Sequence, residues 1–409
     1  MVLLAAASML FFLYLWSLKA FEHRALPAPI KDLLSFRLQY LVLGLLFGAL
    51  LPDDLSGVVH KGSYVALGFL TGWIGFLLGT SLDLRVIRRT RGRTLLSALS
   101  QTVFTFLFVS FFAYWMINLA DGRSRAVSLS LGAIASTTAV LSAHLQSREK
   151  IAAPLNKLEF GNSISIVLLA LIFSAYSEQA VFLFGVLQVS IWWQRLVLSA
   201  GIGAFIGVLC DFLFREQRPL REEAFLLFAT LLLGCGMAVG IGLSPLLVGM
   251  LTGIWLINST LRRIPLLEMV QRVEPPLDGV FLTLVGGVLG ITWAGALKEI
   301  LLAPVLFFLL MGIGKITGMN IVSRLFESRH IKSSKSKGFQ QIAQGSLAIA
   351  IALQAKWYLE EGVGHHILLI AVLTVILSRL TASYTAAKRH DSTDPSIEPG
   401  RALPQIGRP

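Results

Sequence analysis

The amine of Lys315 is the clearest candidate for chemistry, because it lies inside the apolar segment 299–322. Arg324, nine residues later, is expected to mark the cytoplasmic end of that segment. Nine residues of helix rise about 13 Å, which is too deep for the lysine to reach water easily. Charged residues at membrane depth are costly and usually functional. Lys315 is therefore either a structural residue bonded to backbone carbonyls or a group that takes part in ion binding or proton transfer.

Two other apolar segments are interrupted by small polar residues. Ala135–Ala139 contains Thr137 and Thr138, and Ala343–Ser346 is a similar interruption later in the chain. Twelve-residue windows that start at these two interruptions align without gaps and share three residues. Broken helices that meet near the middle of the membrane are typical of inverted repeats, where helix ends offer partial charges and backbone groups to an ion. The alternative is two ordinary helices packed through small residues.

Polar groups also open the apolar segment that follows the first interruption. Asn162 and Ser163 lie at its start, and Glu159 lies three residues earlier, one helical turn nearer the cytoplasm. Counted from the neighbouring basic residues, Asn162 lies within about one turn of the depth of Lys315. Glu159 is either a charge at the cytoplasmic rim or a proton acceptor in a funnel that leads to the site.

The composition identifies the kind of chain that carries these groups. Of 409 residues, 55% are hydrophobic and only 14% are charged, and the mean hydropathy is +0.73. A soluble domain carries about 25% charged residues, so the composition argues against a soluble enzyme, a disordered protein and a nucleic-acid binder. Thirteen apolar runs are long enough, or nearly so, to span a membrane. They lie near 2–18, 38–51, 62–82, 94–118, 126–146, 158–176, 190–214, 222–240, 242–259, 276–295, 299–322, 338–358 and 364–386.

Basic residues predict the orientation of these spans. With the N-terminus outside, the inward-facing segments hold 27 of the 35 Lys and Arg residues and the outward loops hold four. This distribution follows the positive-inside rule along the whole chain and predicts a cytoplasmic C-terminus. The net charge of +12 is then a basic cytoplasmic rim, and no nucleic-acid partner is needed to explain it. Residues 388–409 are polar and are predicted to form a disordered cytoplasmic tail.

Several stretches match, in order and spacing, the motifs of one membrane-protein family. They are Leu41–Pro52 (LVLGLLFGALLP), Gly68–Arg89 (GFLTGWIGFLLGTSLDLRVIRR), Gly132–Val140 (GAIASTTAV), Glu223–Asn258 and Ala343–Gly345 (AQG). Over about residues 36–386 the chain resembles the monovalent cation:proton antiporter superfamily, in its branch of sodium/hydrogen exchangers and potassium-efflux transporters.

The resemblance implies an all-α polytopic membrane protein of about thirteen transmembrane helices, with inverted repeats and two crossed broken helices. It implies one transporter domain, 1–387, in which core spans at about 94–176 and 299–386 move against scaffold spans at about 1–82 and 190–295. It further implies that the protein is a homodimer in the lipid bilayer of a bacterial inner membrane. The protein is expected to be a transporter and not an enzyme. No cofactor is implied beyond the transported monovalent cation and protons.

The resemblance also implies roles for the polar residues. Lys315 resembles the family's intramembrane lysine, and Thr137 and Thr138 resemble its unwound backbone site. Asn162, followed by Ser163, stands where the family has its ion-binding aspartate. The implied ion-binding set is Thr137, Thr138, Asn162 and Ser163, and the implied proton-linked groups are Glu159 and Lys315.

Asn162 is a departure that affects the expected mechanism. An amide can coordinate a cation through its oxygen, but it cannot exchange a proton at physiological pH. The sequence therefore predicts exchange of Na⁺ or K⁺ for H⁺ by alternating access, with the proton on Lys315 or Glu159. One alternative is transport of an anion or a small carboxylate at Lys315 and the helix N-termini. The other is a transport-inactive relative that serves as a sensor or an assembly partner.

Overall fold

Apolar helices follow one another along the part of the chain that the computed structural model describes. That part is 37–50, 53–90, 92–118, 125–138, 152–176, 181–183, 187–189, 191–215, 219–260, 263–300, 302–326 and 342–392. Thirteen helices lie within it. They are α1 (Leu38–Ala49), α2 (Asp53–Ser81), α3 (Leu84–Arg89), α4 (Gly92–Asn118), α5 (Arg125–Ser136), α6 (Ala152–Tyr176), α7 (Trp192–Leu213), α8 (Leu220–Ile241), α9 (Pro245–Ser259), α10 (Arg263–Ile300), α11 (Leu302–Phe326), α12 (Ser346–Lys356) and α13 (Glu361–Ser392).

The lengths of these helices agree with a protein that crosses the membrane many times. Eight of the described helices, α2, α4, α6, α7, α8, α10, α11 and α13, are long and apolar enough to span it. Another four, α1, α5, α9 and α12, are apolar but shorter. Twelve of the predicted spans thus coincide with a helix among the described residues, and the predicted span 2–18 lies outside them. The prediction of an all-α polytopic membrane fold is confirmed.

Three local features add detail to that prediction. A small antiparallel hairpin, β1 (Val181–Leu183) with β2 (Leu187–Val189), lies between α6 and α7. Gly242 ends α8 in the left-handed conformation, and Ser244 then caps α9 by accepting a hydrogen bond from Leu247 N at 3.2 Å. The helix α13 continues to Ser392, and the rest of the predicted tail, 393–409, lies outside the described residues.

Two close helix pairs follow the inverted repeat. Matching α5 to α12 in the repeat also matches α1 to α9 and α2 to α10. The helix pair α2–α9 in one arrangement is therefore equivalent to the pair α10–α1 in the other. Both pairs are packed along their length. Glycine permits both contacts. A Cβ on Gly249 would lie 1.9 Å from Gly72 O, and one on Gly44 would lie 1.9 Å from Thr283 O. These helices therefore approach backbone to backbone, as small residues allow in a membrane.

The remaining contacts separate two hydrophobic clusters. The larger cluster joins α4, α5, α6, α11, α12 and α13 to residues of α1, α2, α9 and α10. The smaller cluster lies among α2, α7, α8, α9 and α10. The larger cluster contains helices of both the predicted core and the predicted scaffold, so the division into a moving core and a scaffold remains a prediction. The helices that carry the candidate functional residues, α5, α6, α11 and α12, all contribute to the larger cluster.

Candidate functional site

Two helices are broken where the sequence predicted interruptions. The helix α5 ends at Ser136, and Thr137 and Thr138 continue without helical structure. The helix α12 begins at Ser346, after the non-helical residues 343–345. The two breaks meet, because Gln344 Nε2 donates a hydrogen bond to Ile134 O at 2.8 Å. A helix end that carries free carbonyls is thus placed beside the start of a helix that carries free N–H groups.

Lys315, from α11, binds the unwound end of α5. Its ammonium Nζ donates to Thr137 O at 2.6 Å, and the residue is only 3% exposed. A cation at the C-terminus of a helix opposes the negative end of the helix dipole. The contact with a backbone carbonyl is the one expected of a structural lysine, and the depth is the one expected of a functional lysine.

Asn162, from α6, binds the next residue of the unwound segment through both ends of its amide. Its Oδ1 accepts from Thr138 N at 2.8 Å and from Thr138 Oγ at 3.3 Å, while its Nδ2 donates to Thr138 O at 3.0 Å. The residue is 1% exposed. Because Oδ1 already has two donors, the amide serves as a clasp that holds Thr138 against α6.

The two other predicted residues of α6 are buried on the same helix. The hydroxyl of Ser163 donates to Glu159 O at 2.8 Å, so it bonds within its own helix and not to Thr137 or Thr138. Glu159 is 2% exposed. It is therefore a buried carboxyl residue one turn from Asn162, and the interpretation of Glu159 as a solvated charge at the rim does not hold in this structure.

Several contacts at the crossing involve residues to which the sequence assigned no role. Gln344 N donates to Ser378 Oγ at 3.1 Å, and Arg379 Nε donates to Gln344 O at 2.6 Å, so α13 holds the start of α12. On the other side, Ser136 Oγ donates to Ser165 Oγ at 2.8 Å and links α5 to α6. In the sequence, only the polar Gln344 within an apolar segment indicated that these hydrogen bonds could form.

The chemical character of the site follows from these contacts. Carbonyls at the end of α5 and in the unwound segment after it accept hydrogen bonds from Gln344, Lys315 and Asn162, and one buried basic and one buried acidic residue lie near the break. Within the described residues no three His, Cys, Asp or Glu side chains form a group suited to a metal cofactor. The groups present are oxygens and titratable side chains, which suit monovalent ions and protons.

Crossed broken helices from inverted repeats are a common design of secondary transporters. Comparison with known proteins identifies the family. The profile of the family described as "Sodium/hydrogen exchanger, transmembrane" matches residues 24–388. The chain therefore belongs to the transmembrane sodium/hydrogen exchanger family, whose members are secondary transporters and not enzymes.

Two solved structures of a sodium proton antiporter, MjNhaP1 from Methanocaldococcus jannaschii, have a similar fold. The structure at pH 8 has a TM-score of 0.60 and 15% identity over 95% of this chain and 98% of that chain. The structure from an electron-microscopy map has a TM-score of 0.55 and 16% identity over 90% of this chain and 99% of that chain. A comparison with curated proteins gives no match. At this identity the likeness concerns the fold.

Proposed function

We propose that the protein exchanges a monovalent cation, Na⁺ or K⁺, for protons by alternating access, and that Glu159 is the carboxylate that exchanges the proton. Family membership supports the class of reaction. The assignment of Glu159 rests on one observation: Asn162 occupies both ends of its amide with Thr138, whereas Glu159 is a carboxyl residue buried one turn away. The carboxylate that exchanges the proton therefore lies one turn before position 162 of α6, where the resemblance implies an aspartate.

The reconstituted protein tests this proposal directly. Proteoliposomes that contain a pH-sensitive dye are given outward gradients of Na⁺, K⁺ or Li⁺, and proton movement is followed with each ion. We expect proton movement that depends on at least one cation in the wild type and its loss in Glu159→Gln, because the amide cannot release a proton. Glu223→Gln, which changes a buried carboxyl residue of α8 in the scaffold, is the matched control and should retain exchange. Full exchange in Glu159→Gln would contradict the assignment.

Transport of an anion at Lys315 remains the second reading, since the neutral Asn162 leaves Lys315 as a positive group at the break. Two features argue against it: Lys315 Nζ already donates to a backbone carbonyl, and the buried Glu159 repels an anion whenever it has released its proton. Gradients of a small carboxylate in the same vesicles separate the two. Absence of both cation and anion flux would favour a sensor or an assembly partner.

We propose the orientation that the basic residues predict, with the N-terminus outside and the C-terminus in the cytoplasm of a bacterial cell, and a homodimer in the inner membrane. Single cysteines at Arg89, Lys335 and Lys61 test the topology in intact cells. Labels at Arg89 and Lys335 should require permeabilisation, and a label at Lys61 should not. Labelling of Lys335→Cys from outside would contradict this topology.

A further inference from the structure

The two amide side chains at the crossing are used in different ways. Asn162 has partners at both ends of its amide. Gln344 has partners for its backbone N, its backbone O and its side-chain Nε2. Its side-chain Oε1 is buried, and no hydrogen-bond donor reaches it from the described part of the chain. The residue is 0% exposed.

The orientation of the Gln344 amide is fixed by its partner. Ile134 O is a carbonyl that can only accept, so the nitrogen of the amide must face it and Oε1 must point elsewhere. A buried polar atom without a partner costs about 1–3 kcal/mol. An oxygen acceptor in this position is therefore suited to a positive ion or to a hydrogen-bond donor, and it repels an anion.

The side-chain amide of Gln344 lies next to the end of α5. Ile134 O accepts from Gln344 Nε2 and from Thr137 Oγ, each at 2.8 Å, so the amide and the threonine hydroxyl converge on one atom. Ser378 and Arg379 hold the backbone of Gln344 from the opposite side. Oxygen ligands of this kind, held in a fixed frame, are those that hard cations prefer.

We propose that Gln344 Oε1 is a ligand of the transported monovalent cation. The cation is then bound at the crossing of the two broken helices, beside Thr137, and Asn162 serves to hold the unwound segment in place. The inference rests on the proposed function, because it names the oxygen at which the exchanged cation binds. It also predicts that the cation affinity depends on Gln344 in the segment before α12, whereas the proton exchange depends on Glu159 of α6.

A binding measurement that does not depend on transport tests this inference. The full chain is solubilised in detergent, and its thermal midpoint is followed during titration with Na⁺, K⁺ or Li⁺, with choline as the inert cation. In Gln344→Met, which removes the oxygen, the cation concentration for half-maximal stabilisation should rise about tenfold, equivalent to about 1.4 kcal/mol. Gln354→Met is the matched control, since Gln354 of α12 is also a buried glutamine whose side-chain oxygen has no donor among the described residues, but it lies ten residues farther along the chain than Gln344. It should leave that concentration unchanged.

A second variant serves if Gln344→Met does not fold. Gln344→Glu keeps an oxygen and adds a titratable charge, so stabilisation by the cation should persist and its dependence on pH should differ from that of the wild type. An unchanged half-maximal concentration in Gln344→Met, or a pH dependence in Gln344→Glu equal to that of the wild type, would overturn the inference, as would a wild type that no cation stabilises. A wild type that binds cations at Gln344 but does not exchange them would contradict the proposed function alone.

Discussion

The two broken helices are equivalent in the inverted repeat, yet they present opposite chemistry. At the end of α5, the carbonyls of Ile134, Thr137 and Thr138 each accept a hydrogen bond from a side chain outside α5. At the start of α12, the N-cap residue Gly345 has no side chain with which to cap the first N–H groups. The oxygen of Gln344 beside them has no donor within the described residues.

The two ends differ in how completely their polar atoms are paired. A carbonyl end attracts positive groups and donors, and here α6, α11 and the segment before α12 supply them. The bonds from Ser378 and Arg379 involve the backbone of Gln344, and its side-chain oxygen has no donor among the described residues. The asymmetry predicts that substitutions on the α5 side damage the structure of the site, and that substitutions on the α12 side change its affinity.

Removal of the Lys315 charge should produce the largest effect. Lys315→Ala removes the donor to Thr137 O and the charge that opposes the α5 dipole, a contribution of up to about 2 kcal/mol in buried positions. We expect exchange in proteoliposomes to fall roughly tenfold or more, while the protein still folds. Lys315→Gln, which retains an N–H donor but no charge, separates the hydrogen bond from the charge. Wild-type exchange and pH dependence in Lys315→Ala would make this residue purely structural.

Asn162→Asp should have the next largest effect, because it breaks the clasp on one side only. The carboxylate can still accept from Thr138 N, but its second oxygen then faces Thr138 O with no hydrogen between them. A proton or a cation must fill that gap. We expect the thermal midpoint to fall as the pH rises, to recover with Na⁺ or K⁺, and cation:proton exchange to strengthen.

Asn162→Ala is the control for this substitution, since it removes the clasp without adding an acid. It should lower stability at every pH by about 1–3 kcal/mol. If Asn162→Asp is destabilised as much as Asn162→Ala, and added Na⁺ or K⁺ does not restore its stability, then a carboxylate at this position does not bind cations.

The sequence was sufficient for the fold because the bilayer imposes strong constraints on it. Apolar runs near 20 residues long must be helices, and twelve of the thirteen predicted runs coincide with described helices. The breaks at Thr137 and before Ser346 were predictable because small polar residues interrupt those runs. Helix positions and breaks are local properties, so they can be read from a single chain.

The partners within the site could not be predicted in the same way. The sequence placed Asn162 and Lys315 at a similar depth, but depth does not show that one binds Thr138 and the other Thr137. It did not predict that Ser163 bonds within its own helix or that Gln344 joins the two breaks. These pairings depend on how distant helices rotate about their axes, which is set by packing across the whole bundle.

Loss of the α13 contact should have a smaller effect than either of the first two substitutions. Arg379→Met removes the donor to Gln344 O, while Ser378 still bonds Gln344 N. We expect the free energy of unfolding to fall by about 1–3 kcal/mol, because a buried carbonyl loses its partner. Exchange should fall only a few-fold. Arg379→Lys, which keeps the charge, is the control, and an unchanged thermal midpoint in Arg379→Met would show that the arginine does not hold α12.

The smallest effect is expected at the link between α5 and α6. Ser136 Oγ donates to Ser165 Oγ at 2.8 Å, but it also lies 2.8 Å from Ala133 O, and Ser165 Oγ lies 3.2 Å from Gly161 O. Each hydroxyl therefore keeps a backbone acceptor if the other is removed.

Ser165→Ala should lower the free energy of unfolding by about 0.5–1.5 kcal/mol, the net value of one hydrogen bond, and should leave exchange intact. A double-mutant cycle with Ser136→Ala measures the coupling directly. A coupling well above that range, or a loss of exchange in Ser165→Ala, would mean that this link fixes the end of α5 as firmly as Lys315 and Asn162 do.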